Sequence, residues 1–123
     1  MLVVEVFRGE GGEILGLRAR GHAGWGRHGQ DIVCAGASAI LHAAVLGVTR
    51  HVGLPARVQA GDGYLELRLE PGGEAVGKAV EAWGQAQAVL ETAVLGLDEI
   101  AKQYARHVRL VQRHGGESDD HGT

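Results

Sequence analysis

The sequence predicts an α+β domain in which an antiparallel sheet packs against two main helices, in the order β-β-α-β-β-α-β. Three observations predict it. Segments of period-two alternation flank glycine-rich turns in two places, the pattern of hairpins. A long apolar stretch with helical spacing follows each of them. The chain has 123 residues and one cysteine, enough for a single domain that buries its core without disulfides.

The elements follow in order. Leu2–Arg8 is rich in valine and reads as a strand. The run Gly9-Glu10-Gly11-Gly12 supplies a hairpin turn. In Ile14–Arg20, Leu15, Leu17 and Ala19 alternate with Arg18 and Arg20, which marks a half-buried strand. Residues 21–30 hold Gly21, Gly24, Gly26 and Gly29 and read as a mobile surface loop. Asp31 has the chemistry of an N-cap, so a helix is expected over residues 32–50, ended by Gly53 and Pro55. That helix is apolar nearly all round, which predicts a central buried position. Gly61-Asp62-Gly63 joins residues 57–60 to Tyr64–Leu69 as a second hairpin. Pro71-Gly72-Gly73 precedes a second helix expected from about Glu74. Its stripe of Val76, Val80, Trp83, Leu90, Val94 and Leu97 faces a core, with Gly96 a candidate break before Tyr104. Residues 107–113 alternate again as a last strand. The domain is therefore expected over residues 1–113, and the polar, glycine-rich residues 114–123 read as a disordered tail.

Composition narrows the function classes. Lys plus Arg total 12 against 15 Asp plus Glu, for a net charge of -3. No overall basic field is present, and the 4% aromatic content offers little stacking surface, so no direct nucleic-acid partner is expected. The apolar N-terminus lacks a basic leader, and residues 32–48 are broken by Ser38 and His42, so neither export nor membrane insertion is expected. A lone thiol without an export signal suits the reducing cytoplasm. Seven histidines (His22, His28, His42, His51, His107, His114 and His121) invite a metal reading. Their spacings match no ligand pattern, so neither a metal site nor any other cofactor is expected.

Cys34 carries the main chemical clue. With Asp31 as cap it lies in the first helical turn, where exposed N–H groups and the helix dipole favour the nucleophilic thiolate. The competing reading is a small buried hydrophobe. His22 ends the second strand, and the loop after it returns to the helix start. This path can bring an imidazole beside the thiol as base and then acid; a solvated loop histidine is the alternative. Ser38 shares the helical face of Cys34. Its hydroxyl can serve the thiolate or the imidazole, or it can bond the Cys34 carbonyl.

The block Gly21-His22-Ala23, a glycine-rich loop, then Asp31-Ile32-Val33-Cys34-Ala35 with Ser38, resembles the ribosomal-processing cysteine protease Prp family. The order of hairpins and helices is similar over nearly the whole chain. One departure is Cys34-Ala35-Gly36-Ala37-Ser38, where the family commonly reads Cys-Ala-Ala-Val-Ser.

The resemblance implies a cytoplasmic, homodimeric cysteine endopeptidase. It would remove the N-terminal extension from the precursor of large-subunit ribosomal protein twenty-seven. It also implies a catalytic pair of His22 and Cys34, with Gly21, Asp31 and Ser38 in support. A loop containing Gly24, Trp25, Gly26 and Gly29 would then gate the substrate, with Trp25 either covering an apolar substrate side chain or anchoring the loop. Because the family substrate is aromatic at the cleavage point, an apolar pocket is expected near that loop. Asp31 reads as a cap rather than a third catalytic member. First-turn N–H groups are expected to receive the oxyanion. The rival reading is an inactive ribosome-associated binding module of the same fold.

Overall fold

Alternation in the strands and a 3.6-residue period in the helices place one apolar face of each on a shared core. The computed structural model describes residues 1–70 and 78–115. The elements are β1 (Leu2–Arg8), β2 (Ile14–Arg20), α1 (Ile32–Leu46), a π-helical extension (Gly47–Val52), β3 (Ala56–Gly61), β4 (Tyr64–Leu69), α2 (Lys78–Gln103) and β5 (Val108–His114). This is the expected order. The Pro71-Gly72-Gly73 turn, the helix start near Glu74 and the tail beyond Gly115 lie outside the described residues.

The sheet runs β3-β4-β2-β1-β5. All pairs are antiparallel except β1 with β5, which is parallel and sets Leu2 opposite Val108. The sheet is therefore mixed, because α2 carries the chain back across it before β5 begins. Leu2, Val4, Val6, Leu17, Ala19, Leu65, Leu67 and Leu69 face the helices and are buried.

Three features differ from expectation. The first helix continues as a π-helical turn to Val52, so the helical stretch spans 21 residues. The Thr49 hydroxyl donates to the Val45 carbonyl at 2.7 Å, and such back-bonding competes with the regular ladder. The stretch is long and apolar enough to cross a membrane by composition, yet Val33, Ala37, Leu41, Ala44 and Val48 bury one of its faces in the core.

Its other face is not buried: Ile32 is 62% and Leu46 46% exposed. In a two-layer fold a helix meets the sheet along one stripe only, so apolar composition all round does not make it central.

Finally, α2 passes through Gly96 without a break. A methyl group at Gly96 would lie 3.2 Å from Ile40 Cδ1, one at Gly47 3.0 Å from Val89 Cγ1, and one at Gly36 3.9 Å from Ile100 Cδ1. These contacts run antiparallel along α1 and α2. The helical glycines let the two backbones approach while the facing branched side chains fill the gaps. At Gly36, one of the two departures from the family pattern, the spacing is ordinary contact and an alanine would fit.

Candidate active site

Asp31 starts α1 as expected. Its φ of -86° and ψ of 96° are extended, and its Oδ1 accepts the Cys34 N–H at 2.9 Å. Its Oδ2 accepts the Trp25 N–H at 2.9 Å, so one carboxylate ties the loop to the first turn of the helix. Partial burial pushes the Asp31 carboxyl up. The N–H groups of Cys34, Trp25, Gly26 and Val33 outweigh that and hold it below its ordinary value. This fixes Asp31 as a cap.

Cys34 is half-buried and packs against the core. It lines a cleft of about 620 Å³ that also takes in His22, Ser38 and His42. Leu2, Leu41 and Leu65 supply apolar wall to the same cleft, where an apolar pocket is expected. The cleft lies between the start of α1, the end of β2 and the β3–β4 turn.

His22 is exposed, and among the described residues it forms no hydrogen bond to Cys34. Its nearest carboxylate is Asp62 in the hairpin turn, with Nε2 3.8 Å from Asp62 Oδ1. Gly63 sits directly against the imidazole. It has φ +68°, and a methyl group there would lie 2.9 Å from His22 Nε2. The Gly21 N–H donates to the Gly63 carbonyl at 2.9 Å. Gly21 itself, at φ +93°, leaves no room for a side chain because Met1 O occupies the place of its Cβ. Pairing of β2 with β4 thus brings the tip of the second hairpin over the histidine.

The start of the loop is held by two contacts. Ala23 is buried and its carbonyl accepts from His107 Nδ1 at 3.0 Å. A carbonyl oxygen only accepts, so Nδ1 of His107 carries the proton. The Trp25 ring stands edge-on to Tyr104 with centroids 6.5 Å apart. Gly24, Gly26 and Gly29 line the cleft but Trp25 does not, which favours Trp25 as the anchor. These contacts tie the first residues of the loop, Ala23 and Trp25, to the body of the domain.

Ser38 lies on the cleft wall one turn after Cys34. Among the described residues its hydroxyl makes none of the three hydrogen bonds considered for it, while its carbonyl accepts from His42 Nδ1 at 2.9 Å. The oxyanion expectation is narrowed as well. The Cys34 N–H is committed to Asp31, and the Ala35 N–H to the Asp31 carbonyl at 3.0 Å.

Asp62, Gly63, His42 and His107 were not singled out as site residues by the sequence. Asp62 and Gly63 were legible only as a turn, and His42 and His107 only as members of a histidine set without ligand spacing.

The model of the family described as Cysteine protease Prp matches residues 1–109. The chain belongs to the Prp cysteine protease family. It is a cysteine-type peptidase. It is 29% identical over 116 residues to the ribosomal processing cysteine protease Prp of Bacillus subtilis, covering 89% of this chain and 96% of that one. Identity to the Staphylococcus aureus Prp is also 29%, over 112 residues. Among solved structures, the ribosomal processing protease Prp from S. aureus with a covalently linked product peptide superposes at a TM-score of 0.78. Identity is 28%, with 92% of this chain and all of the other covered. The same protease in complex with a substrate peptide gives a TM-score of 0.73 at 27% identity, again over 92% of this chain and all of that one.

Proposed function

We propose that the chain is an endopeptidase that removes the N-terminal extension from the precursor of large-subunit ribosomal protein twenty-seven, with Cys34 as nucleophile and His22 as general base and acid. The observation that carries the mechanism is that Cys34, held in the first turn of α1, and His22 line one cleft with apolar walls. The names of the relatives, which are ribosomal processing proteases, support the substrate.

Cys34 Sγ attacks the scissile carbonyl carbon after His22 takes the thiol proton. As the C–N bond breaks, His22 returns that proton to the departing amine. A water activated by His22 then attacks the thioester, releases the carboxylate product and restores the thiol. An unliganded separation of the pair is compatible with this chemistry, since catalytic hydrogen bonds tighten in the substrate complex. Gly21 and Asp31 support the pair by fixing the backbone on either side. Ser38, on the cleft wall one turn after Cys34, supports the pair, and Gly24, Gly26 and Gly29 form the gate. The enzyme works in the cytoplasm, where a lone thiol stays reduced, and as a homodimer, which the exposed apolar face of α1 around Ile32 and Leu46 supports.

The test is to incubate the protein with the extended N-terminal segment of the matching ribosomal protein and measure product masses. Cys34→Ala and His22→Ala run alongside. A single cut, absent in both variants, is expected. Binding without any cut would favour the inactive module, and a cut surviving Cys34→Ala would overturn the nucleophile.

A further inference from the structure

Both helices cover one side of the sheet, and strand alternation sends the other set of side chains to an open face. The register identifies them. Glu5 lies opposite Arg18, Val3 lies between Arg20 and Arg109, and Phe7 lies beside Arg113. Arg18 then faces Glu66, and Gly16 faces Arg68, which in turn pairs with Arg57. This one face therefore carries Arg18, Arg20, Arg57, Arg68, Arg109 and Arg113. Against them stand Glu5, Glu66 and, at the rim, Glu70. The chain as a whole is at -3, so its acidic excess lies elsewhere. Net charge averages over two unlike sides, and the expectation of no nucleic-acid partner rested on that average together with the low aromatic content, which bears on base stacking and not on backbone contacts.

We propose that this arginine face binds the sugar–phosphate backbone of RNA.

Five of the six guanidiniums, all but Arg109, have a carboxylate beside them before any ligand arrives. Glu5 is only 1% exposed and accepts from Nε of Arg18 at 2.7 Å and Nε of Arg113 at 2.8 Å. Arg20 Nε is 3.5 Å from the same carboxylate. Bonding through Nε leaves the terminal amino groups for another acceptor. Those of Arg20, Arg109 and Arg113 donate to no described residue. Arg18 and Arg68 also lie over the Phe7 ring, at 5.4 and 5.7 Å from its centroid. Anchored forks of this kind lose little freedom on meeting phosphate and match its oxygens in pairs.

The shape selects among anions. Five strands spaced at roughly 4.8 Å spread the cations over a face about 20 Å wide, which suits a backbone with closely spaced charges better than one acidic peptide in a groove. A lipid surface is disfavoured because the exposed large apolar residues (Met1, Trp25, Ile32, Leu46, Val58, Val80 and Leu95) do not belong to this set of side chains, and membrane docking buries apolar groups. Arg20 immediately precedes Gly21 and His22, so RNA on this face reaches the rim of the cleft.

The test is fluorescence anisotropy of a labelled single-stranded RNA of mixed sequence at several KCl concentrations. The double variant Arg57→Gln/Arg109→Gln removes two exposed cations from the face. Arg50→Gln/Arg106→Gln removes two from elsewhere. Wild type and the second variant should bind alike. The first should bind at least about tenfold more weakly at low salt, with a log–log salt slope shallower by about 1.4, at roughly 0.7 per lost phosphate contact. Both variants should keep the wild-type melting curve and the same rate on a short peptide substrate. No RNA binding by wild type, equal losses in the two variants, or equally tight binding to anionic vesicles or polyglutamate would overturn the proposal. Because binding is read directly, its failure leaves the peptidase reading untouched.

Discussion

Replacing Asp31 separates two jobs done by one carboxylate. Its Oδ1 caps α1 at the Cys34 N–H and its Oδ2 holds the Trp25 N–H, both at 2.9 Å. Loss of an N-cap costs about 1 kcal/mol, and loss of a second, partly solvated hydrogen bond about 0.5–1 kcal/mol. Asp31→Ala should therefore destabilise the protein by about 2 kcal/mol in urea unfolding at neutral pH. Asp31→Asn keeps one acceptor oxygen and should lose about half of that. The folded carboxyl sits below its ordinary value of 3.8. Its charge-dependent advantage over Asn is then fully present above 3.8 and vanishes as pH falls through the lower folded value. Peptidase activity should fall at least about tenfold in Asp31→Ala, because the nucleophile and the loop lose their common tether. A loss below about 0.5 kcal/mol, or an Asp-to-Asn difference that does not shrink as pH falls below 3.8, would refute the double-tether account.

Three further outcomes follow from the same geometry. Gly63→Ala places a methyl group against the His22 ring at a positive φ; it should cost about 1–2 kcal/mol and depress kcat more than KM in peptide-cleavage kinetics. His107→Leu removes the donor to the Ala23 carbonyl and should lower kcat about tenfold, whereas His107→Asn, which keeps an N–H donor, should restore most of it. Burial pushes the Glu5 carboxyl up, but hydrogen bonds from Arg18 and Arg113 outweigh it and hold it below 4.5. Glu5→Gln should therefore cost about 2–3 kcal/mol at neutral pH, measured by denaturant titration, and the gap to wild type should close as pH drops below 4.5.

The strands, the cap and the order of elements were legible because each rests on local chemistry: alternation in Leu2–Arg8, a carboxylate at Asp31, Asp-Gly at the second turn. What the sequence hid depends on partners distant along the chain. Gly96 looks like a helix break until Ile40 is seen seated on it. The Asp62-Gly63 turn looks merely structural until the pairing of β2 with β4 carries it to His22. His107 is one histidine among seven, and only the return of β5 alongside β1 brings it to Ala23. The arginine face was hidden in a different way. Its members alternate through separate strands, so no run of positive charge appears in the sequence and the net charge is negative.

The parallel pairing of β1 with β5 also has a temporal meaning. β5 is made about a hundred residues after β1, a delay of roughly 5–20 s at ordinary elongation rates. Throughout that interval β1 lacks its outer neighbour. The Leu2 N–H has no His107 carbonyl to meet, a bond that is 2.9 Å long in the finished fold. The His107 clamp on Ala23 is absent for the same time. The segment that carries His22 thus gains its His107 clamp only when β5 docks. A nascent chain therefore carries His22 on a segment that lacks this clamp until β5 has been made.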